Sequence, residues 1–247
     1  MTSRLVYLGA SRVRRGASVA AFVTVGGSNV KTGAGTVQVH ILDAETDPVT
    51  AYQSGTPGNC PTECQHLQDG TCYVRYEQAP LGIWKAWNRG NVAPLPRAGI
   101  GDYLQRAADR GYTLLRFGAS GDPAALPAAL VRVLADAADA AGMDRTAYTH
   151  AWQRASARHL QAYAMASVDD VDAQARAALA GWRTFRASTF AGDDVPAVGE
   201  VRCPASAERG ALLTCATCKV CNGGTPATDA PSVVLRLHGI HAPDWEV

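Results

Sequence analysis

The seven cysteines of this 247-residue chain stand in two groups and are not spread along it. Cys60, Cys64 and Cys72 form the first group, and Cys203, Cys215, Cys218 and Cys221 form the second. An odd number of thiols cannot be fully paired, and three of them at successive two-residue gaps would strain any disulfides between them. The pattern therefore argues for metal or cluster ligation. A fold that uses it has to carry segments distant in sequence to a common place.

Cys215-Ala-Thr-Cys218-Lys-Val-Cys221 has the C-x2-C-x2-C spacing with which bacterial ferredoxins hold three corners of a cubane, the fourth ligand being a remote Cys followed by Pro. Cys203-Pro204 supplies such a residue. Three thiolates this close suit a polynuclear cluster, whose iron corners are separated in space; a single zinc usually takes two ligands from each of two short knuckles. An iron-sulfur cluster, most simply 4Fe-4S, is the expectation, with structural zinc or unligated thiols as the alternatives. Cys60-x3-Cys64-x7-Cys72 offers only three sulfurs. It is either a second cluster with one iron left open or a contributor of ligands to the C-terminal group. Cys60 is also followed by Pro61, so either Cys-Pro pair can complete the triplet. His66 lies in the same loop and is a candidate fourth ligand, although a loop histidine is more often solvated.

Composition bounds the rest. With 47% hydrophobic and 18% charged residues the chain can bury one sizeable core, which excludes disorder as its main state. A formal net charge of +1 gives no basic excess of the kind that marks a general nucleic-acid binder or a membrane-surface protein. The best apolar stretch, around Leu126 to Ala141, is interrupted by Arg132 and Asp136, so no transmembrane segment is expected. Arg12-Val-Arg-Arg15 followed by an apolar run to Val25 has the outline of an export signal, but its Val and Thr content reads better as a buried strand. The expected location is cytoplasmic.

Residues 1–58 read as a strand-rich entry, with strands over Ser18 to Val25 and Gly35 to Leu42 divided by a Gly-rich turn from Gly26 to Gly33. Residues 59–97 hold the first cysteine loop. Over 98–200 helices and short strands alternate, the pattern of an α/β domain with parallel strands. Helices are expected over Gly99 to Arg110, Ala124 to Ala141, Trp152 to Arg158 and Val171 to Gly181. The paired strands are Tyr112 to Phe117, Thr146 to Thr149, Gln161 to Ala166 and Arg183 to Ala187. Residues 201–247 carry the second cysteine loop and a last strand, Val233 to Leu237. The expected fold is α/β, a single domain built on a partial (β/α) barrel-like unit with a strand-rich N-terminal segment and a Cys-rich C-terminal loop.

In such sheets reactive groups collect at the C-terminal ends of the strands. Those ends carry Arg116, Asp122, Tyr148, His150 and Asp169, which are the candidate substrate-binding residues. Arg116 would hold an anionic group, and His150 would transfer a proton near neutral pH. Each has a plainer reading: Arg116 in an ion pair, Tyr148 and His150 buried and hydrogen-bonded, Asp122 and Asp169 as caps of the helices that follow. No G-x-S-x-G, P-loop or G-x-G-x-x-G stands in a strand-turn-helix context.

The first cysteine loop loosely resembles that of radical S-adenosylmethionine enzymes, in which C-x3-C-x2-C leaves one iron for the cofactor ahead of a partial (β/α) barrel. Here the last gap is seven residues, although Tyr73 supplies the aromatic after Cys72, and Gly118-Ala-Ser-Gly-Asp-Pro123 stands where those enzymes place a Gly-rich turn. A wider ordered set comprises Asn29-Val-Lys-Thr-Gly33, Cys60-Pro-x2-Cys64, Gly70-Thr-Cys72-Tyr73, Arg116-Phe-Gly-Ala-Ser-Gly-Asp122, Ala147-Tyr-Thr-His-Ala-Trp152, Ser167-Val-Asp169, Cys203-Pro204 and Thr214-Cys-x2-Cys-x2-Cys221. Taken in order it resembles an actinobacteriophage family named after gene product eighty-eight of a mycobacteriophage. The resemblance implies a phage-encoded protein with a Cys-rich iron-sulfur site and supplies no settled reaction; a small molecule or an electron-transfer partner is the expectation for what it works with. Relatives place Arg or Lys where this chain has His150, which puts in doubt any role needing a permanent cation there. The alternative function is a non-catalytic, zinc-stapled protein that binds a host factor, with Trp84, Trp87, Trp152 and Trp182 partly serving as surface anchors.

Overall fold

The computed structural model describes residues 2–26, 31–188, 195–206, 210, 213–224 and 230–236. Two five-stranded sheets carry the chain. The first contains β1 (Thr2–Ala10), β2 (Ser18–Val25), β3 (Thr36–Asp43), β4 (Leu114–Ser120) and β5 (Asp144–Thr146), in the order β1-β2-β3-β4-β5. Its first two joints are antiparallel and its last two parallel. The second contains β6 (Tyr148–Thr149), β7 (Met165–Val168), β8 (Thr184–Ser188), β9 (Glu200–Arg202) and β10 (Ser232–Arg236), ordered β6-β7-β8-β10-β9 and parallel throughout. Only Ala147 separates β5 from β6, so one run of chain forms an edge of each sheet.

The helices are α1 (Pro48–Gln53), α2 (Gln65–Gln68), α3 (Ala79–Asn88), α4 (Ile100–Ala108), α5 (Ala128–Ala140), α6 (Val171–Leu179) and α7 (Cys215–Cys218). Short 3-10 turns occupy Arg97–Gly99 and Pro123–Ala125, and a longer one runs over Ala155–Ala162. Helix α4 buries Ile100, Leu104 and Ala107, one helical stripe, and α5 buries Leu130, Val131, Leu134, Ala135 and Ala138. The two helices pack side by side over the first sheet's core, which also takes Val37, Val39, Leu115 and Phe117. A smaller core on Ala20, Phe22 and Leu42 is covered by α3 through Ile83, Trp84 and Trp87.

Val19 to Val23 are fully buried inside β2, in keeping with the strand reading of the segment after Arg15. No helix among the described residues is long and apolar enough to cross a membrane. Part of the expected Gly-rich turn, residues 27–30, lies outside the described residues. The same is true of the end of the last expected strand at Leu237.

Four expectations shift. The strand expected over Gln161 to Ala166 begins later, as β7, because Gln161 and Ala162 end the 3-10 helix before it. The segment from Trp152 forms a 3-10 helix over Ala155–Ala162, because Ala151 and Trp152 are drawn into the core and Arg154 is extended (φ −80°, ψ 131°). Strand β4 runs past Phe117 to Ser120 through Gly118 at φ +65°, with an irregularity in its register against β3. Arg116, expected at the end of this strand, therefore lies in its interior. Of the four tryptophans considered as surface anchors, Trp152 and Trp182 are buried, and Trp84 and Trp87 are half-buried against the smaller core.

Candidate metal centre

The first cysteine loop is tied to the ends of β3 and β4. Asn59 donates its side-chain amide to the Ile41 carbonyl at 2.6 Å and accepts the Asp122 backbone N–H at 2.9 Å. Gly121, at φ +77°, makes this approach possible: a Cβ there would lie 2.3 Å from the Ile41 oxygen. Arg14 donates to the Cys60 carbonyl at 3.0 Å, and Arg154 holds Glu63 with two nitrogens at 2.8 and 2.6 Å. The ion pair takes the Glu63 carboxyl down to about 2. So pinned, the loop buries Cys60 and Cys64, and Cys72 is half-buried with its sulfur 3.5 Å from the Tyr76 hydroxyl.

The second loop is anchored from two sides. Cys215 and Ala216 donate backbone N–H groups to the carbonyls of Lys31 and Thr32 at 3.0 and 3.1 Å, and Thr214 and Thr217 form a reciprocal cap at the start of α7. Lys219, in the left-handed region at φ 60°, turns the chain and pairs with Asp144 at 2.7 Å. Buried Arg183 donates to the carbonyls of Val220, Gly223 and Pro231 and to the Asn222 side chain, fixing the path around Cys221. Cys203 follows the C-terminal end of β9, its N–H on the Val234 carbonyl at 2.8 Å.

These anchors bring the two groups around adjoining spaces. Cys203, Cys215, Cys218 and Cys221 all border one small cavity of about 40 Å³. Cys60, Cys64, Cys72 and again Cys215 border a larger one of about 280 Å³. Lys31, Thr146, Tyr148, Phe185 and Cys215 line both. Of the other predicted residues, Arg116, Asp122, Tyr148 and His150 line the larger cavity, and Asp169 stands beside it against His66. None of the seven cysteines is in a disulfide.

Burial dominates the electrostatics. It pushes the Cys64 and Cys221 thiols up to about 12 and raises Cys60, Cys72 and Cys215, with neighbouring thiols of the same group adding to the shift in Cys60, Cys64, Cys215 and Cys221. The opposing influences are cationic at Cys60 (Arg14) and at Cys215 (Arg116 and Lys31), and are hydrogen bonds at Cys64 (Leu67), Cys72 (Tyr76) and Cys221 (Tyr148). Arg116 is itself buried, donates to the Tyr73 hydroxyl at 2.9 Å and sits 5.8 Å over that ring. It stays cationic despite desolvation because Tyr73, Tyr148 and Cys215 surround it.

The carboxylates divide the roles expected of them. Asp122 caps the turn at Pro123 by accepting the Ala124 N–H at 2.8 Å, and it also accepts the Thr149 hydroxyl and the His150 N–H, both at 2.8 Å. Burial raises its carboxyl to about 6. The cap of α6 is Asp170 and not Asp169, since Asp170 accepts the Ala173 N–H. Asp169 is left to face His66, with Oδ1 3.3 Å from Nε2, and burial raises its carboxyl. His150 packs edge-on to His66 with ring centroids 5.9 Å apart. Its imidazole is held at about 3, by burial first and by His66 second, so it stays neutral instead of exchanging protons near neutral pH. Tyr148 is in contact with Phe185, centroids 4.2 Å apart, and its hydroxyl accepts from Thr146 at 3.2 Å.

Sequence reasoning missed Arg183 and Tyr76, because nothing local marks an arginine as a loop clamp or a tyrosine as a buried neighbour of thiols. It also considered His66 only as a partner of the cysteines. Comparison with protein-family models, curated proteins and solved structures finds no match to this chain.

Proposed function

We propose that the chain is an iron-sulfur protein that uses the cluster beside an enclosed cavity for redox or radical-type chemistry on a small molecule. The observation that carries this reading is that all four cysteines of the second group border one space, while the three of the first group meet Cys215 around the next. Spacing supports a cluster over a lone ion. A tetrahedral zinc with Zn–S bonds near 2.3 Å needs sulfurs about 3.8 Å apart. Among the described residues no three cysteine sulfurs fall within 4.8 Å of one another. The donor set also suits a cluster in charge, since Arg116 and Lys31 stand beside Cys215 to offset thiolates that burial alone would leave protonated.

Cys203, Cys215, Cys218 and Cys221 would hold a 4Fe-4S cluster, and Cys60, Cys64 and Cys72 a second set of iron ligands. A bound cluster would supply one-electron transfer, with S-adenosylmethionine as a candidate co-substrate at the three-thiol group. Arg116 would hold an anionic group in the larger cavity, and Asp122 would fix the backbone at His150. The alternation of strands and helices through 98–200 supports a partial (β/α) barrel-like unit as part of this reading, and the ordered motifs resemble those of the phage family described above.

Anaerobic purification followed by an absorption spectrum and iron, sulfide and zinc analysis tests the proposal. A broad band near 400 nm with roughly four iron and four sulfide per chain is expected, and Cys218→Ser should lose it. A colourless protein carrying stoichiometric zinc would overturn the reading and favour the zinc-stapled binding protein.

A further inference from the structure

Among the described residues, one group of three ligand-type side chains brings its donor atoms within 4.8 Å of one another, and it contains no cysteine: His66, His150 and Asp169. Asp169 follows the C-terminal end of β7 and His150 the C-terminal end of β6, while His66 comes from α2 in the first cysteine loop. His66 Nε2, His150 Nε2 and Asp169 Oδ1 are all buried, and none has a hydrogen-bond partner. Unsatisfied buried polar atoms on three neighbouring ligand-type side chains call for a physical explanation.

A hydrogen bond inside the group does not supply it. His66 Nε2 and Asp169 Oδ1 are 3.3 Å apart but not aligned for one. His66 Nδ1 lies 2.9 Å from the Thr71 hydroxyl. A proton on Nδ1, donated to Thr71, leaves the Nε2 lone pair facing the Asp169 oxygen. A divalent ion between two such donors resolves the conflict. Metal–nitrogen and metal–oxygen bonds near 2.1 Å place cis donors about 3.0 Å apart in an octahedron and about 3.4 Å apart in a tetrahedron. The observed separation of 3.3 Å falls between them.

A metal-binding histidine commonly has its second nitrogen oriented by a hydrogen-bond partner. For His66 that partner is the Thr71 hydroxyl, whereas Asp122 Oδ2, 4.0 Å from His150 Nδ1, lies beyond a hydrogen bond. Asp170 takes over the capping of α6, which frees Asp169 for this use. His66 and His150 also line the 280 Å³ cavity, so further coordination positions face space that a water or substrate can enter.

We propose that His66, His150 and Asp169 form a mononuclear site for a divalent first-row transition-metal ion, separate from the cysteine ligands and open to the larger cavity. Two imidazoles and one carboxylate with open positions are the donor set of non-haem iron(II) and of catalytic zinc sites. The inference does not depend on what the cysteines hold.

The test uses the full chain as purified, incubated anaerobically with Co(II) and freed of excess metal, with bound cobalt and the visible spectrum read together. Wild-type protein is expected to retain one equivalent of Co(II) beyond any that shows thiolate-to-metal charge transfer. Asp169→Ala and His150→Ala should each lose that one equivalent, and Cys218→Ser should keep it. Equal cobalt content in wild type and in a folded Asp169→Ala or Asp169→Asn variant overturns the site. Should both Asp169 variants fail to fold, the wild-type spectrum decides. An equivalent without the charge-transfer band supports the site, and cobalt bound only with that band overturns it. Absence of iron and sulfide would defeat the cluster proposal and leave this result untouched.

Discussion

The guanidinium of Arg183 donates to the carbonyl of Val220 at 2.7 Å, across 37 residues of chain, from a position 1% exposed to solvent. The same nitrogen, Nη2, also reaches the Pro231 carbonyl, and Nη1 reaches Asn222 and Gly223, so one buried side chain fixes both flanks of the loop that carries Cys221. Lysine keeps the charge but lacks the planar fork that serves several acceptors at once. Arg183→Lys is expected to cost about 3 kcal/mol in denaturant unfolding, since hydrogen bonds to a buried charge contribute about 1.5 to 3 kcal/mol each and are only partly replaced. The same variant should label faster at Cys221 with a thiol reagent. An unchanged midpoint and labelling rate would show that the loop holds itself.

Gly121 and Gly16 both take positive φ, at +77° and +79°, yet their surroundings differ. A Cβ on Gly121 would meet the Ile41 oxygen at 2.3 Å and the Asn59 amide at 2.9 Å, whereas Gly16 has nothing within 4 Å. Gly16→Ala should therefore cost only the left-handed conformational penalty, about 1 to 2 kcal/mol. Gly121→Ala adds displacement of the Ile41 backbone and of the Asn59 side chain next to Cys60, and should cost at least about 2 kcal/mol more. Thermal unfolding of the two variants side by side checks the difference.

Much of this fold was legible because its signals are local. The run from Ser18 to Val25 is apolar on both faces, and the stripe of α5 repeats every turn, so strand and helix follow from residue order alone. The cysteine spacing likewise named the ligand candidates. What the sequence did not carry was contact between distant segments. That Asp170 caps α6 while Asp169 turns to His66 depends on a loop about 100 residues upstream, and two adjacent aspartates look alike in sequence. Strand β4 was read too short because Gly118 looks like a turn residue, although here it is an irregularity within the strand. Strand β1 was missed because only Val6 of its nine residues is buried, so its placement rests on antiparallel pairing with β2.

His40 sits fully inside β3, with Nδ1 3.1 Å from the Ser120 hydroxyl, and burial, reinforced by the Arg116 charge, lowers its pKa to about 3. Below its ordinary value of 6.5 the unfolded chain takes up a proton that the folded chain refuses. The contribution of this histidine is thus fully present above about pH 6.5 and is lost as pH falls toward 3, at up to about 1.4 kcal/mol per pH unit. Stability of His40→Gln, in which an amide can still meet Ser120, should decline less steeply than wild type over that window. Parallel curves for the two proteins would show that His40 is hydrated on the folded chain.

Arg154 and Glu63 close the first cysteine loop from outside, and the fork between them is bidentate, at 2.8 and 2.6 Å. The pair is a quarter to a third exposed, which limits its energy, but Arg154 also donates to the Val13 carbonyl at 2.8 Å and so joins three segments. A double-mutant cycle with Glu63→Gln and Arg154→Met is expected to give a coupling of about 1 kcal/mol, above the usual surface pair because of the fork. Arg154→Met alone should cost more than Glu63→Gln alone, because it also strips the Val13 carbonyl of its donor. Cys60 and Cys64 should then react faster with a thiol reagent in both single variants, and most in the double one. If reactivity is unchanged while the coupling energy is present, the pair stabilises the chain without guarding the thiols, and the burial of Cys60 and Cys64 rests on Asn59 and Gly121 instead.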